Sequence, residues 1–214
     1  IPVIDKLDRV VEAKEVMEFI RSNDSRTKYD IGMESPVDYI PAKRIALPVD
    51  KDAAIASGIV KESDRDLMVD TVYIELKKSS LSRSELMLLD MFAHFDWKRP
   101  IYFTQAYMLN NFSLVDYLQF DGYAYRFVPI LTPLKDSWEV GRVDADYAYD
   151  VLMNKTKHGG ISNPNVYVDS FMHHNIMVAR TRESYARVAK QYILQGEYAR
   201  AEELLDKGLE VLPI

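Results

Sequence analysis

The hydrophobic and polar positions are patterned most clearly in residues 82–104. Ser82 and Glu85 have the S-x-x-E spacing of a capping box, in which each side chain satisfies the other's free backbone N–H. From Leu86 to Phe95 only Asp90 and His94 are polar. A helix so apolar expects cover on more than one side. Pro100 cannot continue it and pushes Arg99 toward extended backbone. Ile101, Tyr102 and Phe103 then suit a buried strand. Upstream, Met68, Val72, Ile74 and Leu76 share one face of a strand, and Val69, Thr71 and Tyr73 the other. Strand, helix and strand predict a β-α-β unit with parallel strands and a right-handed crossover.

Elsewhere the periods are weaker. Val10, Ala13, Met17 and Ile20 repeat at helical spacing within residues 6–21, opposite Glu12, Glu15 and Glu18. Residues 22–42 are polar and broken by Pro36 and Pro41. Ile45, Leu47 and Val49 alternate as a strand, and Pro48 within it predicts an edge. Asp50 to Ser57 reads as a brief helix ended by Gly58. Gln105 to Asp121 reads as mostly helical, stopped by Gly122, with a strand over Tyr123 to Leu131. Asp144 can cap a helix over Asp146 to Asn154, and Gly159-Gly160 and Asn163-Pro164-Asn165 signal loops.

From about Asp169 onward the pattern is helical. Residues 182–214 follow the tetratricopeptide register of W-x2-L-G-x2-Y, A-x3-F and P over ~34 residues. Tyr185 stands at the Trp position, Val188 and Ala189 at the Leu-Gly pair, and Tyr192 at the Tyr. Gly196 falls at the turn, Ala201 is the small contact residue, Leu205 replaces the Phe, and Pro213 ends the unit. A generic helical hairpin is the plainer reading. A lone repeat cannot bury its own apolar face, so it needs a neighbour. The expected fold is therefore α/β, a small mixed sheet with a βαβ unit followed by a helical, tetratricopeptide-like hairpin. The expected domains are 1–166 and a helical tail over 167–214.

Composition narrows the function classes. The chain has 214 residues, 48% apolar and 28% charged, which is ordinary for a globular domain. A net charge of -6 argues against a nucleic-acid partner. No Cys is present, so thiolate metal sites and disulfides are excluded. No apolar run approaches the ~18 residues of a membrane helix. The chain begins at Ile1 and stops at Pro213-Ile214, which reads as a piece of a longer protein.

Two further segments carry a family resemblance. They are Trp97-Lys98-Arg99-Pro100-Ile101-Tyr102-Phe103 and the run from Asp116-Tyr117-Leu118-Gln119-Phe120-Asp121-Gly122 to Tyr123-Ala124-Tyr125-Arg126-Phe127-Val128-Pro129. With them, the chain resembles the soluble carboxy-terminal part of bacterial multi-pass membrane proteins, a family of unknown function. Their membrane half is similar to protein O-mannosyltransferases of the GT-C type, and they tend to finish in tetratricopeptide-like helices. The resemblance implies an extracytoplasmic, periplasmic domain hung from a membrane glycosyltransferase by a region N-terminal to it. In such enzymes the catalytic acid is expected in the membrane half, so no catalytic residue is assigned here.

Several constellations are open to a functional and a plain reading. His173-His174 with Asp169 could suggest a metal, but adjacent helical residues point about 100° apart, and Asp169 and His173, spaced i to i+4, make only two ligands. His94 reads as a core histidine. Asp144-Ala145-Asp146 matches a D-x-D that could hold a divalent cation against a sugar nucleotide, or simply a helix cap with a second acid favoured by the helix dipole. Arg126 shares a strand face with Ala124, Val128 and Ile130, so it needs a partner: an anion or sugar, or a carboxylate such as Asp116 or Asp121. Arg99 has the same ambiguity. Trp97, Tyr102, Tyr107, Tyr123 and Tyr125 suit sugar stacking or packing. No nucleophile elbow, P-loop or dinucleotide fingerprint is present.

If the β-α-β unit holds, a ligand would sit beyond the carboxyl ends of its strands, at Lys77, Lys78, Ser79, Ser80, Thr104 and Gln105, with Arg126 as an anion contact. Arg180, Arg182 and Arg187 mark the helical tail as the surface for a protein partner or acceptor. No cofactor and no metal are expected. The leading expectation is a non-catalytic accessory domain. The alternatives are a sugar-handling enzyme using Asp144 and Asp146 on a metal, and a structural spacer.

Overall fold

The computed structural model describes residues 1–30, 32, 34–133, 139–161, 163, 165–167 and 169–212, without the side chains of His173, Asn175 and Ile176. The fold is α/β, with small mixed sheets and a carboxy-terminal helical hairpin. Its contacts form two compact units: Ile1–Ile101 with Ala106–Leu118 and Phe127–Val140, and Tyr102–Gln105 with Gln119–Arg126 and Gly141–Ile214.

The first unit is built on a three-stranded sheet. Strand β1 (Val11–Glu12) leads directly into helix α1 (Ala13–Arg21). The helix buries Ala13, Val16, Met17 and Ile20, spaced by three, one and three, as one apolar stripe. A short antiparallel pair follows, β2 (Lys28–Tyr29) with β3 (Val37–Asp38). Strand β4 (Arg44–Pro48) then runs parallel to β1, with Val11 opposite Ile45. This is the βαβ unit of the fold. After helix α2 (Lys51–Ala56), β5 (Thr71–Glu75) pairs antiparallel with β4 over five residues. Strand β4 is therefore central, although Pro48 predicted an edge. Pro48 is tolerated because β1 ends at Glu12, opposite Ala46, so no strand on that side needs an N–H from position 48. Met68, Val72, Ile74 and Leu76 are all buried, as the alternation predicts.

Helix α3 (Arg83–Ala93) starts at the expected capping box, with both reciprocal bonds formed. It buries Leu89, Phe92 and Ala93, and Arg21 on α1 pairs with Asp90 at 2.7 Å. Met87 and Met91 remain 67% and 41% exposed, so cover comes from one side rather than two.

The β-α-β unit expected around α3 does not form. Strand β5 belongs to the three-stranded sheet. Strand β6 (Tyr102–Phe103) belongs to a separate four-stranded sheet of order β6-β8-β7-β9. Its other members are β7 (Leu118–Phe120), β8 (Tyr125–Phe127) and β9 (Arg142–Val143). Two features redirect the chain before β6. Trp97 adopts a left-handed backbone conformation, φ 60°, and Pro100 follows it. The cost is offset by burial: the indole is 1% exposed, donates from Nε1 to the Pro48 carbonyl at 2.8 Å, and stacks on Phe127 at 5.6 Å. Strand β6 then pairs antiparallel with β8, and β7 runs parallel to β9. The expected long helix over Gln105 to Asp121 is instead two 3₁₀ segments, Ala106–Phe112 and Val115–Tyr117, followed by β7.

The second unit carries helix α4 (Ala145–Asp150), continued by a π turn over Val151–Lys155. It also carries the hairpin of α5 (Ala179–Gln195) and α6 (Tyr198–Val211). Gly196 closes α5 at φ 81°, a conformation that favours glycine. Phe120, Ala148, Leu152, Tyr185, Val188, Ala189, Tyr192, Ala201 and Leu204 form one apolar cluster. Gly208 of α6 lies under Tyr185, where a β-carbon would stand 3.2 Å from the tyrosine Cβ. Pro213, the expected end of the repeat, lies outside the described residues.

Candidate functional site

Arg126 sits on β8 and is 5% exposed. Of the two carboxylates expected to meet it, Asp121 does so. Nε lies 2.8 Å from Oδ2, and Nη2 donates to Oδ1 at 3.2 Å. Gln119 donates to the same Oδ1 at 3.0 Å. The guanidinium also lies 4.4 Å from the centroid of the Tyr147 ring. The hydroxyl of Tyr147 is 3.5 Å from that of Tyr102. Burial pushes the Asp121 carboxyl above its ordinary range, against the pull of Arg126 and Gln119. Burial, then the bond to Tyr147, raises the Tyr102 phenol. The cluster is an ion pair with its charges matched internally. Tyr147 under the guanidinium is the member that sequence reasoning missed.

The two acids of the D-x-D have separate tasks. Asp144 caps α4 by accepting from the Tyr147 backbone N–H at 3.2 Å. Asp146 accepts from the Tyr192 hydroxyl at 2.9 Å and pairs with Arg200 at 2.8 Å. Burial, with Asp146 as acceptor, pushes the Tyr192 phenol up to about 12. Among the described residues no group of three or more His, Asp or Glu could hold a metal ion. The His173 side chain lies outside the described residues, and His174 Nδ1 is 2.8 Å from the Ser170 carbonyl oxygen. His94 is not a core residue: its side chain is 55% exposed at the end of α3, with Nδ1 2.8 Å from the Asp90 carbonyl oxygen.

The seven residues predicted as a ligand site, six at the strand ends and Arg126 as anion contact, fall on different units. Lys77 to Ser80 belong to the first, and Thr104, Gln105 and Arg126 to the second. The topological reason for grouping them fails because β5 and β6 lie in separate sheets. Lys78 donates to Glu85 Oε1 at 2.7 Å, the Lys77 backbone N–H to the Asn111 carbonyl, and the Ser79 carbonyl accepts from Val3. Ser80 bridges to Pro2. Glu85 is the hub that the capping-box reading only half described. Besides Ser82 it accepts from Lys78 and, at 2.8 Å, from the Asn111 amide. Lys78 first, then the Ser82 N–H, holds its carboxyl down to about 2.

An open groove of about 700 Å³ in the first unit is lined by residues that include Asp50, Lys51, Arg65, Asp70, Trp97 and Lys98. Its charges are largely matched within it, Lys51 with Asp70 at 2.7 Å and Lys98 with Asp96 at 3.2 Å. Trp97 is too deeply buried to stack on a sugar. Tyr102, Tyr107 and Tyr123 are exposed, as is Arg99.

The three arginines of the helical tail are placed unequally. Arg180 is exposed. Arg182 donates to the Leu212 carbonyl at 2.9 Å, tying α5 to the end of α6. Arg187 is 7% exposed, lies 4.3 Å from the Phe120 ring centroid and donates to the Gly141 carbonyl. The hairpin buries Tyr185, Val188, Ala189, Tyr192 and Ala201, as the spacing predicts. Leu205, expected inside, is 43% exposed and Leu204 takes its place.

A family model described as TMEM260-associated domain 2 matches residues 3–147. No curated protein matches the chain. No solved structure matches it.

Proposed function

The chain belongs to the TMEM260-associated domain 2 family, and from that membership we propose a non-catalytic accessory domain that binds a protein acceptor or partner. In this reading it hangs on the extracytoplasmic side of a membrane-bound, glycosyltransferase-like parent, and its tetratricopeptide-like helices are the binding surface. Among the described residues no helix is long and apolar enough to cross a membrane. The observation that carries the reading is the engagement of the candidate acids. Asp144 caps a helix, Asp146 holds Arg200 and Tyr192, and Asp121 holds Arg126. Meanwhile the hairpin leaves Arg180, Ile193, Leu194 and Tyr198 exposed.

The test uses the full-length parent in its membrane, with a photo-crosslinking residue in place of Arg180. A discrete protein adduct is the expected result. Calorimetry of the chain with Mn²⁺ and a nucleotide sugar tests the enzyme alternative. A binding isotherm abolished by Asp146→Asn would overturn the accessory reading.

A further inference from the structure

Helix α6 carries two faces of different character. Ala201, Leu204, Gly208 and Val211 are buried. Tyr198, Leu205 and Leu209 stand 69%, 43% and 45% exposed. Their spacing of seven and four places them within about 20° of one line along the helix. Glu202 and Asp206 follow about 40° and 80° further round, on the side away from the buried face. Both are exposed and make no ion pair among the described residues. The bases of the helix are engaged elsewhere, Arg200 with Asp146 and Lys207 with Glu210.

We propose that this seam is a docking site for an amphipathic helix with a basic flank, supplied by the partner protein of the accessory-domain reading. The inference rests on the accessory-domain reading and names the chemistry of its partner. A straight line of large apolar side chains fits the ridge of a second helix. The acidic flank selects Lys or Arg beside that ridge. A second copy of α6 fits poorly in antiparallel pairing, because that twofold would set the acidic flanks against each other.

The probes are two helical peptides with one leucine seam, flanked by Lys in one and by Glu in the other. Fluorescence anisotropy with the full chain should show the Lys-flanked peptide binding about ten-fold tighter or more, with the difference narrowing in salt. Leu205→Glu with Leu209→Glu should abolish binding while circular dichroism is unchanged, since both side chains are substantially exposed. Glu202→Lys with Asp206→Lys should reverse the preference between the peptides. Equal affinity for both peptides, or no binding of either, overturns the proposal. A dimer in sedimentation that Leu205→Glu dissociates also overturns it, since the occupant is then a second copy. The crosslink from position 180 separates this outcome from failure of the wider reading. An adduct that survives Leu205→Glu with Leu209→Glu sinks the seam and leaves the accessory domain standing. Loss of the adduct in that variant supports the seam.

Discussion

Glu85 offers the sharpest test of the first unit, because one carboxylate serves three partners. It accepts from the Ser82 backbone and hydroxyl at 2.8 Å each, from Lys78 at 2.7 Å and from Asn111 at 2.8 Å. Removing it with Glu85→Ala opens the capping box, at about 1 kcal/mol. It loses an ion pair to a half-exposed lysine, worth about 0.5 kcal/mol. It also strands a partly buried amide donor, at about 1 kcal/mol. The expected loss is therefore roughly 2–3 kcal/mol. Glu85→Gln isolates the charge. The carboxyl is held down to about 2 from an ordinary 4.5, so its charge stabilises the fold fully above that ordinary value and loses effect as pH falls toward 2. After allowance for screening at Lys78, the advantage over Glu85→Gln should be about 1–1.5 kcal/mol near neutral pH and about 0.5 kcal/mol smaller near pH 3.5. Urea unfolding followed by Trp97 fluorescence in a Trp138→Phe background measures both. Wild-type and Glu85→Gln stabilities that run parallel between those two pH values would refute the hub.

Three further outcomes follow from the second unit. Arg126→Ala leaves the Asp121 carboxylate buried and unmatched and should cost roughly 3–5 kcal/mol, whereas Arg126→Met with Asp121→Leu should recover most of it in thermal unfolding. A loss below about 1 kcal/mol in the single variant would mean that the pair is not structural. Gly208→Ala gains about 1 kcal/mol of helix propensity but forces a β-carbon to 3.2 Å from the side chain of a fully buried Tyr185, so chemical denaturation should show a net loss of about 1 kcal/mol. Asp146→Asn weakens an exposed pair and should lower stability by no more than about 1 kcal/mol while leaving calorimetric titration with Mn²⁺ unchanged.

What the sequence made legible follows from how far each signal reaches along the chain. Burial on one face imprints period two on Val72, Ile74 and Leu76, and helical spacing on Ala13, Met17 and Ile20, so those elements are local information, whereas Val10, read with the helix, lies ahead of it and is 38% exposed. The capping box is local too, and it forms as spaced. Strand partners are not local. β6 has two residues and β7 three, too few for an alternation to stand out. The β-α-β expectation rested on adjacency in sequence, while the actual partner of β6 is β8, which lies beyond two 3₁₀ segments and β7. Charge reaches further than periodicity. A buried Arg126 demanded a carboxylate, and Asp121 was among the two proposed. Nothing about that demand pointed to Tyr147, because an aromatic face satisfies a guanidinium without being required by it.

The hairpin shows how a small error of phase hides a surface. Matching the repeat position by position assigned Leu205 to the interior, yet neighbouring helical residues differ by about 100°. The small residues settle the phase instead. Ala201 and Gly208 are seven apart, and the tight approach at Gly208 sets that face against Tyr185. Once they face inward, Leu204 and Val211 must follow, and Leu205 and Leu209 must turn outward beside Glu202 and Asp206. That outward seam leaves Tyr198, Leu205 and Leu209 69%, 43% and 45% exposed, while Tyr185, Val188, Ala189 and Tyr192 of α5 are buried. The same constraint that packs the pair tightly thus forces large apolar side chains into water, which is the physical basis for expecting a second helix there.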